Sequence, residues 1–306
     1  MNFGQGAERS GSRMDEDLSM AGFRHSKAPA VAAVAGDFGR DLDTCFARIE
    51  RTVLRARARG AELVVFPESA LGGYQWEAHL PAGPVAVAAP PALLPGGEEI
   101  ARLAKIAGPT VVCAGYTEAG AGEVYSSAVC VSGDGVLGHQ RKVHIPPTER
   151  GLLGAGEGFA AFDTPVGRMG MLVCYDKVFP EAARALSLDG AQIVASLAAW
   201  PVCRERPASL TSRDRQVRHF DLLDRARAVE NQVVWISSNQ TGRFGRLRFP
   251  GRAKVVDPDG RVLAHTGTRA GVALARVDAL GAVSAARREL SHLGDRKPAA
   301  YRLTHA

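Results

Sequence analysis

At 306 residues, 46% hydrophobic and 23% charged, the chain can form one large α/β domain or two ordinary ones around a sizeable core. Its 38 Lys and Arg against 32 Asp and Glu leave a formal charge of +6. Acidic and basic residues alternate through segments such as 204–206 and 213–215, so no compact basic stripe speaks for nucleic-acid binding.

Cys45, Cys113, Cys130, Cys174 and Cys203 are odd in number and far apart, in a chain too long to need disulfide staples; reduced thiols in the cytoplasm are the simple reading. No C-x-x-C or H-E-x-x-H pair exists and the eight histidines are scattered, so neither a metal nor an external cofactor is expected.

Residues 1–28 mix Gly, Ser, Arg, Asp and Glu, lack the apolar stretch of a secretion signal, and are read as a disordered leader. A strand is predicted over 30–35, a helix over 42–58 and a strand over 62–66. The apolar stretch 84–94 is short and broken by Pro90 and Pro91, so it does not span a membrane. A helix over 98–106 and strands over 110–116 and 124–131 follow. Further on come a strand over 169–174, a helix over 180–188, a strand over 192–196, a helix over 213–230 and a strand over 233–237.

Segments 129–137 and 254–263 place β-branched runs on both sides of turn chemistry and read as hairpins, which implies mixed sheets. The G-x-G-x-x-G match from Gly133 to Gly138 has strand-like residues on both sides. It therefore reads as a hairpin turn, where a dinucleotide site would need a strand before it and a helix after. The nucleophile elbow G-x-S-x-G of serine hydrolases is absent. Without a Gly-, Ser- or Pro-rich linker in the ordered region, one layered domain is preferred.

Three segments each deliver a reactive residue just beyond an apolar strand, where α/β folds place their crevices. In Leu63-Val-Val-Phe-Pro-Glu68, Pro67 cannot donate a ladder hydrogen bond and so ends the strand with Glu68 at its carboxyl end. Lys142 follows a strand over 136–138 and precedes two prolines. In Met169-Gly-Met-Leu-Val-Cys174, an apolar strand leads the thiol to a turn, and Pro180 suits a first helical position beyond it. A thiol near a helix start gains thiolate character. Taken singly, each has an ordinary alternative: a loop carboxylate, a solvated lysine, a buried small hydrophobe.

Together, the F-P-E, R-K-x-H and C-Y-D segments resemble those of the nitrilase superfamily of carbon–nitrogen hydrolases. The likeness runs over about 30–275 and takes in Phe162-Asp-Thr-Pro-Val-Gly-Arg, Arg227-Ala-Val-Glu-Asn-Gln, Ser238-Asn-Gln-Thr-Gly, and Gly251 through Asp257-Pro-Asp-Gly.

This resemblance implies an α-β-β-α four-layer sandwich with two mixed sheets, expected over 29–290 with a C-terminal tail at 291–306. It also implies a homodimer or larger homo-oligomer. It makes Glu68 the base, Lys142 the cation beside the tetrahedral intermediate, Cys174 the nucleophile, and Glu149 a second glutamate that orients substrate and water. After Glu149 this chain has Gly151-Leu-Leu-Gly-Ala-Gly, where many relatives carry aromatic residues and a Pro-Gly pair. Tyr175 and Asp176 after the cysteine resemble the amidase and carbamoylase branches, where true nitrilases commonly carry Trp-Glu.

The expected substrate is a small amide, ureido acid or nitrile, cleaved with water through a thioester. Nitrile hydrolysis and amide-forming acyl transfer remain open on the same thiol, and a non-catalytic binding or redox-sensing protein is the more distant alternative. Tyr74, Tyr175 and Trp200 are the candidate substrate-binding residues.

Overall fold

The protein was analysed as a computed structural model that describes residues 28–74, 89–245 and 247–301. The leader expected over 1–28 falls outside these residues except for Ala28, as do the end of the tail and positions 84–88 of the apolar stretch.

The chain runs β1 (Ala30–Gly36), α1 (Leu42–Ala58), β2 (Ala61–Val65), β3 (Ala92–Leu93), α2 (Glu98–Ala107), β4 (Val111–Ala119), β5 (Val124–Ser132) and β6 (Gly135–Arg141). It continues through β7 (Phe162–Thr164), β8 (Gly167–Val173), α3 (Pro180–Leu188), β9 (Ile193–Ala198) and α4 (Arg215–Asn231). The last elements are β10 (Val234–Phe244), β11 (Leu247–Pro250), β12 (Lys254–Val256), β13 (Val262–His265), β14 (Gly271–Arg276) and α5 (Ala279–Glu289).

Local chemistry explains the boundaries. Asp41 caps α1 by accepting from the Thr44 N–H, and the helix buries Cys45, Phe46, Ile49, Val53 and Ala56, a stripe at three- and four-residue spacing. Asp214 caps α4 from Gln216 N and Val217 N, and Gln232 ends it in the left-handed region. The glycine-rich match is a two-residue hairpin in which Ser132 pairs with Gly135. Gly133 needs to be glycine because a Cβ there would sit 2.9 Å from the Gly108 carbonyl oxygen. The second hairpin joins β12 to β13, its turn held by Asp257 Oδ1 accepting from Asp259 N and Arg261 N.

The strands form one hydrogen-bonded network of 14, with the main order β6-β5-β4-β2-β1-β10-β9-β8-β7. The expectation of two separate sheets thus meets a continuous, mixed and nearly closed one. The physical reason lies in β1. Along Ala30–Ala35 its free edge is taken by β14, antiparallel, and only Ala35 and Gly36 go on to pair with Asn239 and Gln240 of β10. Two residue pairs therefore link one half of the network to the other.

Side-chain alternation then distributes the core. Val31 and Ala33 of β1 join Leu63, Val65 and Val111 against Met169, Met171, Val173, Ile193 and Ile236 of the other half. Ala32 and Val34 face the opposite way, onto Phe46, Ile49, Val53 and Leu103 of α1 and α2. Leu172, Val194 and Trp235 meet Ala182, Leu186 and Ala228 of α3 and α4. Strands covered on both faces read in sequence as unbroken apolar runs, and each fully buried Val or Ile contributes about 1.5–3 kcal/mol.

Candidate active site

Glu68 follows β2 on a backbone that neighbouring strands hold from two sides. Gly115 N donates to Pro67 O at 3.1 Å, and a Cβ on Gly115 would lie 2.5 Å from Glu68 Cα, so only glycine permits this approach. Gln240 Nε2 donates to Glu68 O at 2.9 Å, and Ser69 takes a positive φ of 56°. The carboxylate is 1% exposed and fully engaged. Oε1 accepts from Ser126 Oγ at 2.8 Å and from Lys142 Nζ at 2.9 Å, and Oε2 accepts from Ala199 N at 2.9 Å.

Lys142 comes off the end of β6 with its N–H on Ser126 O and its carbonyl on Gly156 N. Its ammonium, 0% exposed, also donates to Glu149 Oε2 at 2.7 Å. Tyr74 donates its hydroxyl to Glu149 Oε1 at 2.5 Å. Two buried carboxylates thus share one buried cation. Burial works against the charge on Lys142, but Glu149 and Glu68 outweigh it and hold the ammonium well above its ordinary range. Burial raises Glu149, with Lys142 pulling it back and Glu68 adding to the rise.

Cys174 ends β8 with a φ of 48°, a left-handed backbone that turns the chain abruptly. It begins a single 3-10 turn, Cys174–Val178, and the α-helix expected nearby starts only at Pro180. The thiol is therefore not at an α-helix N-terminus. Burial pushes it well above the usual thiol range, the Glu68 charge pushes the same way, and Lys142 opposes. Burial and the Glu68 charge together favour the thiol over the thiolate.

Asp176 ties the thiol segment to the lysine segment. Its Oδ2 accepts from Val173 N at 3.1 Å, while Oδ1 accepts from Val143 N and His144 N at 3.2 and 2.8 Å. His144 Nδ1 lies 2.9 Å from the same oxygen, and its ring stacks on Phe179 with centroids 3.7 Å apart. Arg227 donates to the carbonyls of Lys177 and Val178, closing the far end of the turn.

A cavity of about 320 Å³ opens onto Cys174 and Glu149, and Tyr74, Tyr175 and Trp200 are on its wall. Glu68 and Lys142 sit behind that wall. Trp200 is fixed by Asn239, which accepts from its N–H at 2.8 Å and donates to its carbonyl at 3.2 Å. The structure thus brings all four candidate catalytic residues and all three candidate aromatic residues to one place. Among the described residues, no cluster of His, Cys, Asp or Glu could hold a metal ion, and no helix is long and apolar enough to cross a membrane.

A family profile described as carbon-nitrogen hydrolase matches residues 30–287. This chain belongs to the carbon–nitrogen hydrolase family. It is 30% identical over 240 residues to a nitrilase of Pyrococcus abyssi, covering 77% of this chain and 84% of that protein. It is 32% identical over 264 residues to an (R)-stereoselective amidase of a Pseudomonas species, covering 85% and 88%. The crystal structure of a carbon–nitrogen hydrolase from Helicobacter pylori G27 shares the fold, with a TM-score of 0.76 at 23% identity over 89% of this chain and 97% of that one.

In this carbon–nitrogen hydrolase, Ser126, Ala199, Asp176 and Gln240 went unnoticed as individual site residues. Ser238-Asn-Gln did stand out as a motif, and its role is now visible: Ser238 donates to Phe66 O, Asn239 holds Trp200 and Gln240 holds Glu68. Of the other cysteines, Cys45, Cys113 and Cys130 lie in the core, as expected of small hydrophobes. Cys203, also buried, is on the cavity wall.

Proposed function

We propose that the protein hydrolyses an amide or N-carbamoyl group of a small molecule through a thioester on Cys174, with Glu68, Lys142 and Glu149 as its partners. One observation carries this reading: a buried ammonium shared by two buried carboxylates, at the cavity that the Cys174 thiol also lines. A protonated thiol is a poor nucleophile until a base takes its proton, and Glu68 is that base.

As Sγ attacks the carbonyl carbon, the thiol proton passes to Glu68. The developing oxyanion is stabilised by the Lys142 ammonium and the backbone N–H of Tyr175. Glu68 returns the proton to the leaving nitrogen, so ammonia or an amine departs and the thioester remains. A water molecule oriented by Glu149 then loses its proton to Glu68 and attacks the thioester, releasing the carboxylic acid and restoring the thiol. Tyr74 holds Glu149 for that task, and Tyr175 and Trp200 contact the acyl group. Tyr175-Asp176 after the nucleophile favours an amide over a nitrile.

We also read the β1 fork as the boundary between two sheets of an α-β-β-α sandwich. On this reading 29–290 form the hydrolase domain and 291–306 its tail, and the protein works as a homo-oligomer in the cytoplasm. Five free cysteines accord with a reducing compartment.

The test is ammonia or amine release from a panel of small amides, ureido acids and nitriles. Cys174→Ala is expected to lower the rate by about a thousandfold or more. Intact mass spectrometry is expected to capture an acyl group on Cys174, and its mass identifies half of the substrate. Activity retained in Cys174→Ala overturns the mechanism.

A further inference from the structure

Beside the cavity that opens on Cys174 lies a second one, of about 330 Å³, lined by Arg204, Arg243 and Arg248 together with Val202, Cys203 and Ser209. Val202, Cys203 and Arg204 line both cavities. The second is of small-molecule size. Its position is fixed by the backbone: Val202 N donates to Arg248 O at 2.9 Å, tying the chain after Trp200 to β11, and Asp214 accepts from Cys203 N and Ala208 N to fold the loop between them.

The charge arrangement is unusual. Arg243 and Arg248 stand directly opposite each other in the β10–β11 hairpin. Like charges at opposed positions disfavour a strand pair, and no contact with a described residue offsets this placement. None of the three guanidinium groups makes an ion pair or hydrogen bond with a described residue. Glu205, the acidic neighbour of Arg204, lines the other cavity. Three uncompensated guanidinium groups around one hollow form a receptor for an oxyanion, because their planar forks match carboxylate and phosphate oxygens.

We propose that this second cavity binds an anionic end of the substrate, a carboxylate or phosphate, while the scissile amide lies at Cys174. The inference rests on the amide-hydrolase reading above and names the substrate class within it: a small amide or N-carbamoyl compound with an apolar middle and a remote oxyanion. Tyr74, Tyr175 and Trp200 accept the middle, and Arg204, at the shared wall, guides the charged end across.

The test compares the half-amides of four-, six- and eight-carbon dicarboxylic acids with their methyl esters, by ammonia release from the wild-type enzyme at low salt. At one chain length the free acid is expected to exceed its ester by about tenfold or more in kcat/KM, mostly through KM. The double variant Arg243→Gln with Arg248→Gln is expected to erase that preference and leave the rate on the ester unchanged. Equal rates for acid and ester at every length, or a preference that survives the double variant, overturns the proposal. If none of these compounds releases ammonia, the substrate's amide lies outside this series, and calorimetric titration of the wild type with adipate and with inorganic phosphate decides. Binding of either that is lost in the double variant upholds the cavity as an oxyanion site and tells which oxyanion it takes. Binding of neither, or binding the double variant keeps, overturns it.

Discussion

Two buried charge clusters meet the turn that Cys174 begins, and they have opposite stoichiometry. In one, Glu68 and Glu149 share Lys142. In the other, Lys177 and Lys254 share Asp224, at 2.8 and 2.6 Å, with Trp235 Nε1 donating to the same carboxylate at 2.9 Å. The first cluster is one cation short and opens on a cavity. The second also takes in Asp221, which accepts from Lys254 Nζ at 3.1 Å and pairs with Arg252, so three cations stand against two carboxylates. Its inner end is closed by an aromatic ring, with Lys177 Nζ 3.2 Å and Lys254 Nζ 4.2 Å from the Phe220 centroid. A surplus carboxylate next to a thiol is a place for a proton to go. A surplus ammonium under aromatic rings is a brace, because its excess charge faces π-electron density and its proton has nowhere useful to move.

The contrast breaks first if the two shared ions are equally dispensable. Asp224→Asn leaves the buried Lys177 ammonium on a neutral amide, while Lys254 keeps Asp221, and is expected to cost about 3–5 kcal/mol of stability in urea titration. Glu149→Gln removes a spare carboxylate from a cluster that keeps its Glu68–Lys142 pair, so its stability loss is expected to be clearly smaller while activity falls. Equal losses would mean the clusters do not differ as described.

A second break comes from pH. Burial, aided by Lys254 and opposed by Asp224, pulls Lys177 down to about 8 from its ordinary 10.5. Between those values the unfolded chain keeps a proton that the folded chain has released, so stability from this group rises with pH across the window and is lost as pH falls through about 8. The difference in unfolding free energy between wild type and Lys177→Met is therefore expected to grow in favour of wild type from pH 7.5 to 10, by up to about 3 kcal/mol. A flat or falling difference refutes the assignment.

The smallest effect sharpens the first cluster. Ser126→Ala removes one of three donors to Glu68. It is expected to lower kcat/KM on the best amide about tenfold, with little change in the unfolding midpoint. An unchanged rate would show that Lys142 and Ala199 suffice to hold the Glu68 carboxylate.

Which of these groups could be foreseen follows from where they sit in the chain. Glu68 and Cys174 come just beyond apolar strands and Lys142 just beyond β6, and a strand end is readable from composition and a neighbouring proline or turn. Lys177, Asp224 and Lys254 carry no such mark. Two lie in polar-looking helical or turn segments and the third opens a hairpin strand, and their burial arises only when three distant segments pack together. Strand β10 was expected over 233–237, where the β-branched and aromatic run gives way to the polar Ser238-Asn-Gln. It runs on to Phe244 because those side chains satisfy other segments' backbone groups. The single joined sheet was equally hidden, since β1 changes its edge partner within one residue of Ala35 and no periodicity records such a switch.

That two-residue join also divides ownership of the chemistry. The half of the network built from β1, β2 and β4–β6 carries Glu68, Lys142 and Glu149, and the half built from β7–β10 carries Cys174, Ala199 and Trp200. Neither owns a working set. A polypeptide cut in the loop between β6 and β7, beyond Glu149, would give one fragment holding the three charges and another holding the thiol. Turnover would return only when the two dock, which makes the enzyme's own activity a reporter of fragment association.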